Sequence, residues 1–147
     1  QYFKEAGYRT SLIGKWHLGF HEKRYTPTMR GFDSHFGYLG PYIGYYDHTL
    51  VMLDRNYSRG YDMRRNLEIA SDAKGKYATD LFTTEAVNLI RDHDVNMPLF
   101  MLLTHLAPHA GNEDQPMEAP ADVIEKFVYI KDEKRRTLAA MVSYICQ

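Results

Sequence analysis

The sequence predicts an α/β fold in which a mainly parallel sheet is flanked by helices. Two apolar segments have the character of buried strands, "RTSLIG" at residues 9–14 and "MPLFMLL" at residues 97–103. Apolar residues at helical spacing lie between these segments, and a second helical pattern follows them. Strands that alternate with helices along a chain usually pair in parallel, with helices covering the sheet.

The first elements are a short helix and a strand. In "YFKEAGY" the pattern indicates the last turn of a helix closed by Gly7, because glycine adopts the left-handed conformation at a helix end at little cost. The strand at 9–14 follows directly. Residues 19–64 are rich in Gly, Tyr, Pro and Asp and predict long irregular loops, with short strands at 50–53. A loop of this length in a compact domain has a functional or packing role.

The second half of the chain predicts a helix, a strand and a helix. Residues 77–92 place Phe82, Ala86, Leu89 and Ile90 on one face of an amphipathic helix. The strand at 97–103 is a continuous apolar run, which is typical of a strand buried on both faces. A last helix begins near Lys134.

Composition excludes several classes of protein. The chain has 147 residues, with 18 basic and 19 acidic side chains and a net charge of −1, so it offers no electrostatic case for nucleic acid or an anionic membrane. No apolar stretch approaches the roughly 20 residues of a membrane span. Cys146 is the one cysteine, which rules out an internal disulfide and a CxxC motif. Because the chain starts at Gln1 and its last helix looks unfinished, we expect residues 1–147 to be part of a single domain truncated at both ends.

Polar side chains follow both predicted strands. Lys15 and His17 come after the first strand, and "THLAPHAG" at 104–111 ends the second. Ligands in open α/β sheets bind beyond the carboxyl ends of strands, and extended geometry through 15–17 would place Lys15 and His17 on one side. An ammonium and an imidazole suit an oxyanion. A histidine from the second strand, His105 or His109, would protonate a leaving oxygen, so the constellation suits hydrolysis of a sulfate or phosphate ester.

Two other interpretations of these residues remain. A lysine and a histidine after a strand are often ordinary loop residues. The histidines also form two pairs at a spacing of four, His17 with His21 and His105 with His109. A glycine or a proline interrupts each pair and neither carries the glutamate of an HExxH helix, so a zinc site is disfavoured.

The motifs together resemble those of the sulfatase family. The resemblance rests on "GYRTSLIGKWHLG", "YTPTMRGFDSHFGYLGPYIGYYDH", "PLFMLLTHLAPHAG" and "KRRTLAAMVSYI", and it runs over essentially the whole chain. Within the family the sequence looks most like the arylsulfatase B group of N-acetylgalactosamine-4-sulfatases. The resemblance implies an alkaline-phosphatase-like α/β fold and hydrolysis of sulfate esters, as in sulfated glycosaminoglycan sugars. It also implies a formylglycine made from a Cys or Ser, beside a bound calcium.

The resemblance also implies roles for individual residues. Lys15 matches the family's lysine that contacts the sulfate and the formylglycine. His17 matches the histidine that hydrogen-bonds the formylglycine hydrate and helps to break down the sulfated intermediate. His109 matches the histidine near the leaving oxygen, while His105 has a weaker claim. Lys15 and His109 would therefore also bind substrate, and we expect the three matched side chains to converge at one rim. Leu18, beside them, is expected to act through stability.

Parts of the family's site lie outside this sequence. The Cys/Ser-x-Pro-x-Arg motif is absent, and Cys146 cannot supply it because a single residue follows. We therefore expect an upstream formylglycine, calcium ligands outside the chain and no metal ligand within it. The isolated 147 residues should be inactive and marginally folded, with "LIG" and "PLFMLL" left at open edges.

The long loop carries two further features. Asn56 begins a glycosylation sequon, which fits the lysosomal or secreted location that the resemblance implies. The tyrosines at 38, 42, 45 and 46 either stack on sugar rings or pack the loop against the body, and packing is the favoured interpretation. The expected partner is a sulfated sugar or aryl sulfate; the oligomeric state is left open. Two alternatives are a phosphatase or phosphodiesterase of the same superfamily and a degenerate, non-catalytic sulfatase-like protein.

Overall fold

A five-stranded sheet forms the centre of the molecule, in a computed structural model that describes residues 1–52 and 58–146. The strands are β1 (Arg9–Lys15), β2 (Ser34–Tyr38), β3 (Thr49–Val51), β4 (Arg59–Tyr61), β5 (Arg64–Arg65), β6 (Glu68–Ile69) and β7 (Leu99–Thr104). The sheet order is β6-β5-β2-β1-β7, and β3 pairs with β4 separately. β1 is parallel to β2 and to β7, while β5 and β6 are antiparallel additions. The predicted α/β fold with a mainly parallel sheet is confirmed.

In the described residues four α-helices accompany the sheet: α1 (Tyr2–Glu5), α2 (Ala78–Arg91), α3 (Ala121–Glu125) and α4 (Glu133–Ile145). α2 packs against the sheet through Phe82, which is fully buried and lies 6.1 Å from the Phe36 ring and 6.3 Å from the Tyr38 ring. The loops contain short 3₁₀ helices at Lys23–Tyr25, Pro27–Met29 and Ser71–Ala73. None of the helices in the described residues is long and apolar enough to cross a membrane.

The predicted helices form where local signals place them. Gly7 follows α1 with a φ of +84°, the left-handed conformation expected there. Asp132 caps α4 by accepting a hydrogen bond from the Arg135 N–H at 2.8 Å. The predicted core face of α2 is confirmed for Phe82 and Ala86, which are buried. It is wrong for Ile90, which is 56% exposed.

The sequence-based prediction missed β2, which lies inside the region expected to be irregular loop. β2 reads "SHFGY" and contains a histidine and a glycine, so its composition does not favour a strand. It forms because β1 offers a parallel partner along Ser11–Lys15. As a result Leu12 and Ile13 in β1 are buried, and the expected open edge at "LIG" is wrong.

β7 lies at the edge of the sheet rather than inside it. The apolar run predicts a strand buried on both faces, but Leu102 is 40% exposed and Leu103 is 36% exposed. This exposure agrees with the separate expectation that "PLFMLL" keeps an open edge in the isolated chain.

The tyrosines of the long loop separate into two groups. Tyr38 and Tyr45 are fully buried in the core, so the packing interpretation is confirmed for them. Tyr42 and Tyr46 are half-buried and contact the same core from its edge. The sequon at Asn56 lies outside the described residues.

Candidate active site

Gly14 shapes the carboxyl end of β1. It has a φ of +103°, and a Cβ at this position would clash with the Thr104 carbonyl oxygen of β7. Because glycine has no side chain, the Thr104 hydroxyl reaches across and shares its proton between the Lys15 carbonyl at 2.8 Å and the Ile13 carbonyl at 3.2 Å. The glycine before Lys15 therefore lets two strands approach closely and holds the backbone of the lysine.

The chain changes direction immediately after Lys15. The N–H of Trp16 donates to the Tyr38 carbonyl at 2.9 Å, and that of His17 donates to the Leu39 carbonyl at 3.1 Å. His17 has a φ of +52° in the left-handed region, so the extended geometry expected through 15–17 is wrong. The left-handed turn, rather than strand alternation, sets the direction of the His17 side chain.

Trp16 holds the following loop in place. Its indole N–H is shared between the Gly19 and Tyr25 carbonyls, each at 2.9 Å, and its ring meets Phe32 edge-to-face at 6.3 Å. Leu18, within this loop, is 72% exposed. The expectation that Leu18 acts through stability is therefore not supported by burial.

His109 lies in the turn that follows β7. Its N–H donates to the Leu106 carbonyl at 2.9 Å, and the Tyr45 hydroxyl donates to its carbonyl at 2.7 Å. The ring Nδ1 lies 2.6 Å from the Ala110 carbonyl, which can accept but not donate, so Nδ1 carries a proton. His109 is exposed, and this arrangement leaves Nε2 for a ligand.

Three of the predicted residues share one electrostatic region. Burial lowers the pKa of Lys15. The pKa of His17 is lowered first by burial and then by the positive charges of Lys15 and His109. The parallel pairing of Gly14 with Thr104 places Lys15 and the turn that holds His109 at the same edge of the sheet, and the direction of the His17 pKa shift agrees with this placement. Their catalytic roles stay predictions.

His105 belongs to a different environment. Its ring lies 6.1 Å from Phe82 on α2, its Nδ1 is buried without a hydrogen-bond partner among the described residues, and burial lowers its pKa. The tertiary structure therefore separates two histidines that the sequence spacing left as alternatives. His21 likewise stacks on Tyr25 at 4.8 Å.

No metal cluster is found in residues 1–52 and 58–146, where no three His, Cys, Asp or Glu side chains are arranged to hold an ion. These residues do not fit the calcium that the family resemblance implies, since calcium takes six or more oxygen ligands. Cys146 is exposed at the carboxyl end of α4.

Three residues support the turn that holds His109, and the sequence analysis assigned none of them to that turn. Tyr45 holds the His109 backbone through its hydroxyl, and the ring of Tyr42 stacks beside the His109 ring. Asn112, which is buried, joins the same turn to β3 through the Val51 N–H at 3.0 Å and the Thr49 carbonyl at 2.8 Å. The clustering of tyrosines at 38–46 was the available signal, but it did not indicate which ring lies at the site.

The structure is an α/β domain with a lysine and two histidines beyond its parallel strand ends, and comparison with known families identifies it. The model of the Sulfatase family matches residues 1–145, and the chain belongs to this family.

The relatives include several sulfatases. Arylsulfatase J of Mus musculus is 38% identical over 144 residues, which cover 97% of this chain and 23% of that protein. Arylsulfatase of Klebsiella aerogenes is 30% identical over 125 residues, 85% of this chain and 25% of that protein. N-acetylgalactosamine-6-sulfatase of Mus musculus is 31% identical over 111 residues, 73% of this chain and 21% of that protein. The chain thus spans about a quarter of the length of these relatives.

A solved structure shares the fold. The crystal structure of Ps i-CgsB in complex with k-i-k-neocarrahexaose superposes with a TM-score of 0.79 at 27% identity, covering 97% of this chain and 32% of that one. The agreement is consistent with a partial alkaline-phosphatase-like sulfatase fold, as the sequence resemblance implies.

Proposed function

We propose that the chain forms one wall of the active site of a sulfuric ester hydrolase. The observation that carries the proposal is the grouping of Lys15, His17 and His109 beyond the carboxyl ends of β1 and β7. In the described part of the chain no carboxylate lies within ion-pair distance of the Lys15 ammonium. A cation that is partly buried and unpaired favours an anionic ligand over water, because the surrounding protein screens the attraction less than water does.

Each of the three side chains has a distinct chemical capacity. Lys15 would hold a sulfate oxygen and stabilise charge that develops during hydrolysis. His17 has a lowered pKa and is therefore mainly neutral near pH 7, the form that accepts a proton. His109, with Nδ1 engaged by the Ala110 carbonyl, would in its doubly protonated form donate the Nε2 proton to the ester oxygen as the alcohol leaves, and would be left neutral with its proton on Nδ1.

The formylglycine and calcium implied by the family resemblance would supply the nucleophile and a further positive charge. The described residues do not fit calcium, so no step proposed for this chain runs through the metal. The proposal assigns to these residues anion binding and proton transfer.

The proposed substrate is a sulfated sugar. The "GKWHLG" and "RGFD" motifs resemble the arylsulfatase B group, which favours N-acetylgalactosamine 4-sulfate, while one relative is named as a 6-sulfatase. A lysosomal or secreted location and glycosylation at Asn56 are part of the same proposal. The proposal also carries the expectation that the isolated chain is inactive.

A chimera tests the proposal, because the chain spans a quarter of its relatives. Residues 1–145 replace the matched segment of mouse arylsulfatase J, and the purified, folded chimera is assayed with an aryl sulfate, the matching aryl phosphate, and N-acetylgalactosamine 4- and 6-sulfates. We expect sulfate turnover that disappears when Lys15, His17 and His109 are all replaced by alanine.

The outcomes of the chimera experiment are distinct. Faster turnover of the aryl phosphate than of the sulfate favours the phosphatase alternative. A chimera that melts cooperatively, as the host does, but hydrolyses none of the substrates contradicts the proposal and favours a non-catalytic protein. Preference for the 6-sulfate retains sulfatase activity but rejects the arylsulfatase B-like substrate.

A further inference from the structure

We propose that Tyr42 is a positioning residue that holds the His109 imidazole in its working orientation. The inference rests on the proposed function, because it assigns a purpose to the orientation of His109. The two ring centroids are 6.2 Å apart and the ring planes differ by 21°, an offset and nearly parallel arrangement that aromatic side chains favour.

The backbone and the ring of His109 are held separately. The Tyr45 hydroxyl binds the His109 carbonyl at 2.7 Å, and the Gly111 N–H donates to the Pro116 carbonyl at 2.8 Å, so the turn itself is anchored. Among the described residues the ring has one hydrogen bond, from Nδ1 to the Ala110 carbonyl. A single bond at one ring atom leaves the exposed imidazole free to tilt, and the face of Tyr42 limits that motion.

The other tyrosines of the loop do not perform this task. Tyr38 and Tyr45 are fully buried, and Tyr46 lies against Tyr77 at 5.1 Å. The Tyr42 hydroxyl makes no hydrogen bond to any of the described residues. The interaction therefore uses the ring face of Tyr42, and phenylalanine should replace it without loss.

The kinetic test compares three variants of the chimera. In Tyr42→Leu we expect kcat for an aryl sulfate to fall by about threefold to tenfold with KM within about twofold, the scale expected when one aromatic interaction no longer supports the transition state. Tyr42→Phe should retain the unmodified kcat. Tyr46→Leu makes the same change at a half-buried tyrosine of the same loop and should leave kcat unchanged.

The ring stacking itself is tested in the folded chimera. A tyrosine ring stacked on an imidazole shifts the imidazole proton signals upfield, so the histidine-labelled chimera should show shifted His109 signals. We expect the shift to persist in Tyr42→Phe and to vanish in Tyr42→Leu.

Each outcome supports or overturns the inference. A rise in KM with unchanged kcat in Tyr42→Leu would place Tyr42 against the substrate and overturn the positioning role. Equal losses in Tyr42→Phe and Tyr42→Leu, or equal losses in Tyr46→Leu, would also overturn it. Unshifted His109 signals in the folded chimera with no Tyr42 substitution would show that the two rings do not stack. If the chimera is inactive, the proposed function fails, while the spectra still decide whether Tyr42 orients His109.

Discussion

A lysine lies near each end of β1, and the two lysines differ in whether a carboxylate partner is present. At the amino end Lys4 binds the Asp33 carboxylate at 2.7 Å, and Asp33 also accepts from the Thr10 N–H at 2.9 Å and the Thr10 hydroxyl at 3.1 Å. At the carboxyl end Lys15 has no carboxylate partner in the described part of the chain, and burial, followed by the charge of Lys15, lowers the pKa of the neighbouring His17.

This difference separates a group that stabilises the fold from a group that we propose binds a ligand. A carboxylate with three donors is satisfied internally and contributes to folding. An ammonium held near two imidazoles gains nothing from its neighbours, because like charges disfavour one another. Under the proposed function, a bound anion would relieve this repulsion. Substitutions at the two ends should therefore change different quantities.

The largest expected effect is on turnover, at the carboxyl end. In the active chimera, Lys15→Ala should lower kcat for an aryl sulfate by about a hundredfold or more, the scale for losing one preorganised charge donor. Lys23→Ala, at an exposed lysine of the following loop, serves as the control and should leave kcat unchanged. Similar losses in the two variants would show that general positive charge, rather than Lys15, is what matters.

At the amino end the expected effect is on folding. Asp33→Asn should lower the free energy of unfolding by about 1–3 kcal/mol, because it weakens a carboxylate site with charged and neutral donors. Turnover per folded molecule should not change. Urea denaturation of the chimera measures the loss, with the exposed Asp122→Asn as the control; a loss of turnover without a loss of stability would break the comparison between the two ends.

The same carboxylate predicts an acid-dependent loss of stability. The hydrogen bond from Lys4, followed by those from Thr10, lowers the pKa of Asp33 to about 2. Because the unfolded chain binds this proton more readily, the contribution of Asp33 is complete above about pH 4 and is lost as the pH falls towards 2. Denaturation curves between pH 5 and pH 2 should converge for the unmodified chimera and Asp33→Asn, and curves that stay parallel would contradict the assignment.

His35 is a buried histidine on β2 that pairs with Leu12 of β1, and it extends the comparison to higher pH. Burial lowers the pKa of His35, whose Nε2 lies 3.2 Å from the Gly14 carbonyl and whose Nδ1 has no partner among the described residues. The unfolded state therefore binds the proton first, so stability should decline as the pH falls below about 6.5. His35→Asn should reduce this slope between pH 7.5 and pH 5, whereas the exposed His21→Asn should not.

The smallest expected effect is at Leu18, beside the cationic residues. Its side chain is largely exposed, so Leu18→Ala should change the free energy of unfolding by less than about 0.5 kcal/mol. Leu12→Ala, at a buried position of β1, is the matched control and should cost about 2–5 kcal/mol. Equal losses of unfolding free energy in the two variants would mean that the Leu18 side chain is buried in the folded chimera.

The sequence by itself determined the elements whose signals are local. β1, β7, α2 and α4 form where the apolar runs and the helical spacing of the sequence predict them, because these signals act within a few turns of the chain. The "GKWHLG" motif also identified the family, which the match over residues 1–145 confirms.

Only the tertiary structure decided which residues meet. β2 has weak strand propensity and exists because β1 offers a parallel partner, and β7 is exposed because it lies at the sheet edge. The choice between the two histidines after β7 depends on Phe82, which covers His105, and on Tyr42 and Tyr45, which contact His109. Spacing along the chain does not predict these interactions. Each joins residues that are far apart in sequence and come together only when the sheet assembles.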